Sequence, residues 1–199
     1  MSTGSIVFLV LLVLVIGFAV VIYNRLVAFR NRMRNAFAQI DVQLQRRYDL
    51  IPNLVDTAKR YMQHEQETLA GVIEARNQAK AAEQRVAQQP ENAETMHQLS
   101  QAEGGLASAL GRLFALQEDY PDLKADGTMR DLMEELSSTE NKVSFARQHF
   151  NDAVMYYNTY REQFPNVLIA GPAGFLPAGQ LELDDPEAAR QPVRVDFDR

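Results

Sequence analysis

Hydrophobic and polar positions divide the chain into three stretches of different rhythm. Ile6 to Ile22 reads IVFLVLLVLVIGFAVVI, 17 residues without one polar side chain. With Ser5 and Tyr23 the run is long enough, at about 1.5 Å per residue, to cross roughly 30 Å of hydrocarbon. It predicts a membrane-spanning helix, because lipid obliges the backbone to bond internally. A cleavable leader would show a basic flank before the run, a shorter run and small residues after it. None of these is present, so residues 1–24 read as a retained anchor.

The second stretch has helical periodicity. Leu26, Met33, Phe37, Ile40 and Leu44 fall on one face, and no Pro or Gly separates them from the anchor. The first soluble helix is therefore expected to continue the spanning one. A break is expected near Tyr48–Pro52, with Asp49 as cap and Pro52 in the first turn of a second helix. That helix is predicted from Ile51 to Gln88, with Ile51, Val55, Ala58, Met62, Leu69, Val72 and Ala79 on its seam. A third carries Met96, Leu99, Leu106, Leu110 and Leu113. Gly104, Gly105 and Gly111 lie inside it, each costing about 1 kcal/mol against Ala, which suggests close helix contact or a local weak point. Thr128-x-x-Asp131 resembles a capping box at the head of a fourth helix. Its seam is Leu132, Leu136, Thr139, Val143, Ala146, Phe150, Ala153, Tyr157, Tyr160 and Phe164, in unbroken 4-3 spacing. The fold class is all-α: one N-terminal transmembrane helix running into an elongated antiparallel three- or four-helix bundle over residues 25–164.

The third stretch breaks that rhythm. Five of the eight prolines lie between Pro165 and Pro192, yet Gln163 to Leu181 carries no charge. Pro and Gly are too frequent there for a second span, and the apolar content is too high for a free tail. Residues 165–183 are expected to pack on the bundle, on a neighbouring subunit or on the membrane surface. Residues 184–199 read as a flexible tail.

Charge turns this pattern into an orientation. The net charge of −6 conceals a split: residues 25–47 hold six arginines and one acid, net +5, which leaves 14 basic and 25 acidic residues beyond, net −11. Arg25, Arg30, Arg32 and Arg34 directly follow the apolar run. The positive-inside rule puts that flank in the cytoplasm and the N-terminus outside, and the same arginines suit anionic headgroups. An acidic body argues against nucleic acid as a partner. With no cysteine in the chain, disulfides, thiolate metal sites and thiol nucleophiles are excluded.

Catalytic patterns are missing as well. His64-Glu65 opens like a zincin motif, but Thr68 stands where the second His belongs. The di-iron pattern of helical bundles needs two Glu-x-x-His pairs, and the chain has one, Glu94-Thr95-Met96-His97, so that pattern fails. There is no phosphate-binding loop and no nucleophile elbow. The residues point to no enzyme, no metal and no cofactor. Candidate oligomer or partner contacts are Tyr156, Tyr160, Phe164, Val167, Leu168, Ile169, Phe175 and Leu176.

Several runs carry a family resemblance. Tyr23-Asn24-x-Leu26-Val27, then Ile40-Asp41-Val42-Gln43-Leu44-x-Arg46-Arg47-x-Asp49-Leu50-Ile51-Pro52-Asn53-Leu54-Val55, resemble the LemA family. Ala75-Arg76, Ser138-Thr139-Glu140-Asn141, Ala146-Arg147 and Phe150-Asn151-Asp152-Ala153-Val154 extend the likeness, which runs from residue 20 to residue 175. Met155 and Tyr156 depart from it, since the family usually has a charged or polar residue after Val154. The resemblance implies a single-pass protein of the bacterial inner membrane with a cytoplasmic helical bundle and no established enzymatic activity. It also implies links of some relatives to membrane shaping, magnetosome membranes included, and of others to a membrane zinc protease. Two expectations follow: a self-associating structural or membrane-remodelling scaffold in contact with the lipid bilayer, or an adaptor or regulator for a membrane protease or signalling partner.

Overall fold

A computed structural model of the chain describes residues 2–182; the tail expected from residue 184 lies outside them. The first helix, α1, is Thr3–Lys59, 57 residues without interruption and so about 85 Å long. Up to Val21 all but one of its residues are exposed. Burial begins at Ile22 and continues through Leu26, Met33, Phe37, Ile40 and Leu44, the face foreseen from periodicity.

The expected break at Tyr48–Pro52 does not occur. Pro52 lies inside α1, where it lacks the N–H that would bond the Tyr48 carbonyl four residues back. Arg76 of the second helix fills that vacancy, its Nε donating to the Tyr48 carbonyl oxygen at 3.0 Å. Its Nη2 also stands 3.8 Å from Asp49. A side chain 28 residues away thus lets the helix pass through a proline. The turn falls instead at residues 60–65, where Met62 folds into the core and its N–H reaches back to the Ala58 carbonyl at 2.9 Å.

Helix α2 is Gln66–Gln88, α3 is Ala93–Gln117, α4 is Pro121–Ala125, α5 is Gly127–Glu162 and α6 is Val167–Ala170. No strand occurs among the described residues. The long helices alternate in direction, so the expected antiparallel bundle has four members. Cross-contacts fix the order: Arg34 pairs with Glu91 in the α2–α3 turn at the near end. At the far end, Tyr61 donates to Asp126 at 2.9 Å and Tyr120 to Glu65 at 3.3 Å. α1 packs against α5 and α2, and α2 against α3. Phe37 and Phe150, both fully buried, meet edge-on with ring centroids 5.8 Å apart at the α1–α5 seam.

Two local expectations need correction. α5 is capped by Asp126, whose carboxylate accepts from the Met129 N–H at 2.9 Å, so Thr128 and Asp131 form no capping box. That N–H, with the Tyr61 hydroxyl, holds the Asp126 carboxyl below its ordinary value. Gly105 and Gly111 face open space rather than a neighbouring helix. The close approach in this fold is at Gly179, where a Cβ would stand 2.7 Å from the Ala93 Cα.

Beyond α5 the chain turns back on itself. α6 touches both α1 and α5, and Phe175, Ala178 and Leu181 are buried. Phe164, expected on the α5 seam, lies past the end of that helix and is exposed, so the seam stops at Tyr160.

Candidate functional site

Three surfaces stand out: the foot of the bundle beside the apolar run, an apolar flank along α1 and α5, and a polar cleft between α3 and α5. At the foot, the Phe175 ring meets Tyr23 edge-on at 5.4 Å, and the Arg30 guanidinium lies 5.0 Å from the same ring. Arg32 lies 5.8 Å from the Phe29 ring, and Phe29 in turn packs against Tyr160 at 5.1 Å. Of the four arginines singled out from sequence, Arg25 and Arg32 are exposed, Arg30 is half-buried and Arg34 is tied to Glu91.

The candidate contact residues divide accordingly. Phe175 is buried within its own chain, while Tyr160 and Ile169 are half-buried, which withdraws Phe175 from any outer surface. Phe164, Val167, Leu168 and Leu176 are exposed at the foot, and Tyr156 is exposed on the flank. The irregular backbone of this segment is held by α5 side chains. Arg161, Tyr157, Asn158 and Asn151 donate to the carbonyls of Phe175, Leu176, Ala178 and Leu181 at 2.8–3.1 Å. Asn158 and Asn151 also accept from the Ala178 and Leu181 N–H groups. The run Asn151 to Arg161 is therefore a docking rail for residues 175–181, a role its sequence alone does not announce.

On the flank, α1 and α5 leave two adjoining grooves of about 680 and 550 Å³ that share Gln39 and His149. Val42, Phe145 and Tyr156 border them; Phe145 is 74% exposed, five residues from the fully buried Phe150. Among the described residues, little covers this ring.

The polar cleft, about 280 Å³, is lined by Arg47, Ser100, Glu103, Glu140, Asn141, Ser144 and Arg147. Arg47 donates to Glu103 at 2.9 Å, and the Tyr48 hydroxyl donates to the other Glu103 oxygen. Burial raises the Glu103 carboxyl, and the Arg47 charge opposes that shift. Burial and the Glu103 charge together raise the Tyr48 phenol. The Arg147 guanidinium is lowered by burial alone. Arg47, Glu140, Asn141 and Arg147 all belong to the runs that carry the family resemblance, but the fold was needed to bring them together, and Glu103 carried no signal in the sequence.

Between α1 and α2 lies a second buried acid. Glu83 accepts from Gln45 at 2.8 Å, and burial together with the neighbouring Asp41 carboxyl pushes its own carboxyl up to about 8. Lys80 acts weakly the other way.

Little here supports bond-breaking chemistry. His64 sits in the 60–65 turn, His97 bonds Gln101 at 2.9 Å, and His149 lines the flank grooves. Among the described residues no three His, Asp or Glu side chains gather as metal ligands would.

Comparison with known proteins agrees with this geometry. A stretch of 74 residues is 34% identical to Magnetosome protein MamQ of Magnetospirillum gryphiswaldense. The same holds for MamQ 1 and MamQ 2 of Paramagnetospirillum magneticum. The stretch is 37% of this chain and spans 27% of the length of those relatives. Within α1 lies the one helix segment among the described residues that is long and apolar enough to cross a membrane, which marks the chain as membrane-associated. The model of the LemA family matches residues 36–197, most of the chain, and the chain belongs to that family.

Proposed function

We propose that this chain is a non-enzymatic, single-pass protein of the bacterial inner membrane, N-terminus outside, whose cytoplasmic bundle self-associates into a structural, membrane-organising scaffold. The observation that carries the reading is the apolar flank of Val42, Phe145 and Tyr156 along the α1–α5 grooves, exposed among the described residues. Apolar patches of this kind on a folded surface mark interaction sites, and a second copy supplies the same surface in return. Arg25 and Arg32, exposed just past the apolar run, support the orientation. The similarity to proteins of the magnetosome supports the organising role.

Mass photometry of the full chain in detergent tests it. The wild type is expected as an oligomer, and the double substitution Phe145→Glu, Tyr156→Glu as a monomer. A clean wild-type monomer at micromolar concentration sinks the scaffold reading. A fluorescent reporter fused after Arg199 tests the orientation, since it must light up in the cytoplasm.

The polar cleft favours a second reading, an adaptor that holds a partner protein for a membrane protease or signalling assembly. Arg147, Asn141 and Ser144 offer hydrogen-bond donors there without a carboxylate bound to any of them among the described residues. In-cell crosslinking from position 144 distinguishes the two: an adaptor yields one dominant foreign protein, a scaffold yields none.

A further inference from the structure

Gln163 to Leu181 is free of charge, and the fold brings the first part of it to the end of the spanning run. Ile22, the last residue of that run, is already buried, and α6 packs against α1. Tyr23, the next residue, holds the Phe175 ring. Tyrosines settle at the membrane–water interface, so this contact sets the height of residues 164–176 at the hydrocarbon boundary. There Phe164 is 82% exposed, Leu176 71% and Leu168 64%, uncovered by any described part of the chain.

We infer that residues 164–176 are a second membrane contact, entering the bundle-side leaflet next to the spanning helix. Phe164, Leu168 and Leu176 reach the acyl chains, while Arg25 and Arg32 hold lipid phosphates around them. Three observations choose a phospholipid bilayer as the occupant. The patch belongs to a segment that adjoins the end of the bare part of α1, through α6 and the Phe175–Tyr23 contact. It lies inside the basic collar, which complements anionic headgroups. Much of its irregular backbone is also already paired: turn bonds join Ala173 to Ile169, Gly174 to Gly171 and Phe175 to Ala170, and α5 side chains bond the carbonyls of Phe175 and Leu176. Non-helical backbone tolerates membrane depth where its polar groups are paired in this way.

The inference rests on Ile6–Ile22 spanning the membrane, and one experiment separates the two. The chain has no tryptophan, so single substitutions report depth without background. Leu168→Trp, Leu176→Trp, Leu12→Trp in the span and Phe145→Trp on the flank are each made in the full chain. Each variant is reconstituted into phosphatidylcholine–phosphatidylglycerol vesicles containing acyl-brominated lipid. Interfacial elements sit about 5–10 Å into the headgroup–acyl boundary, within reach of bromines near the head of the chain. Leu168→Trp and Leu176→Trp are expected to lose emission to a degree comparable with Leu12→Trp, and Phe145→Trp to lose none. Quenching of Leu12→Trp without quenching at 168 and 176 overturns the inference, including the case where those two emit as buried tryptophans, which would mean that a second copy covers them. An unquenched Leu12→Trp overturns the span itself.

Discussion

The two parts of α1 obey different solvents. From Ile6 to Val21 the helix is apolar on every side and bare; from Ile22 to Lys59 it is apolar on one face and enclosed. In the first part no position is special, because lipid meets all faces alike and the only demand is that nothing polar appear. In the second part each position has its own neighbour: Phe37 has Phe150, Tyr48 has Glu103, and the Tyr48 carbonyl has Arg76. Bareness thus brings tolerance of apolar change, and enclosure brings specificity.

The contrast breaks most visibly at the α1–α5 seam. Phe150→Ala empties a fully buried site and is expected to cost about 3–5 kcal/mol, whereas Phe145→Ala on the open side of α5 changes the stability of the single chain by no more than about 0.5 kcal/mol. Chemical unfolding of the full chain in detergent, followed by circular dichroism, reads both. In the bare part only polarity matters. Leu12→Arg is expected to add about 2.5–3.5 kcal/mol to membrane insertion and to lower the membrane-bound fraction, while Leu12→Val leaves both insertion and bundle stability unchanged in the same fractionation and unfolding assays.

A finer test concerns the proline. Arg76→Ala leaves the Tyr48 carbonyl unbonded and is expected to cost about 1.5–3 kcal/mol, as for hydrogen bonds from charged donors. In a Pro52→Ala background the backbone N–H returns, and the same substitution is expected to cost clearly less; equal costs in a double-mutant cycle would show that Arg76 does not serve the proline.

A further effect is one of pH. The Glu83 carboxyl is raised in the fold, so the folded state holds the proton more tightly than the unfolded one. Its contribution is fully present below the unfolded value of about 4.3 and is lost as pH rises towards about 8. Stability should fall as pH rises across that window, and Glu83→Gln should flatten the slope in melting curves recorded from pH 5 to pH 8.

Much of this architecture was legible in the residues. The apolar run and the seams through Leu44, Leu113 and Phe150 needed only periodicity, because burial on one helix face repeats every three or four positions. The misplaced break at Pro52 has a specific cause. A proline ends a helix when its orphaned carbonyl has no partner, and here the partner, Arg76, is remote in sequence. The true turn at residues 60–65 contains neither Gly nor Pro and comes from Met62 folding inward, which local patterns do not encode. The sites were less legible still. The cleft joins residues from α1, α3 and α5, and the rail of Asn151, Tyr157, Asn158 and Arg161 acts on backbone atoms some 14–30 residues further on. Uncharged residues after Phe164 signalled contact with something, but which of them would be buried depended on the path back towards Tyr23.

The helix that passes through Pro52 without breaking is also a rigid lever. From Ile22 to Lys59 it extends about 55 Å beyond the apolar run with no joint in it. Spanning helices tilt to match the thickness of the bilayer, by about 20° on average. Here such a tilt swings the far end of the bundle sideways by about 20 Å. The thickness of the membrane is thereby written into the position of the α4 end of the bundle, and in the proposed scaffold, subunits that meet along their flanks must agree on one tilt.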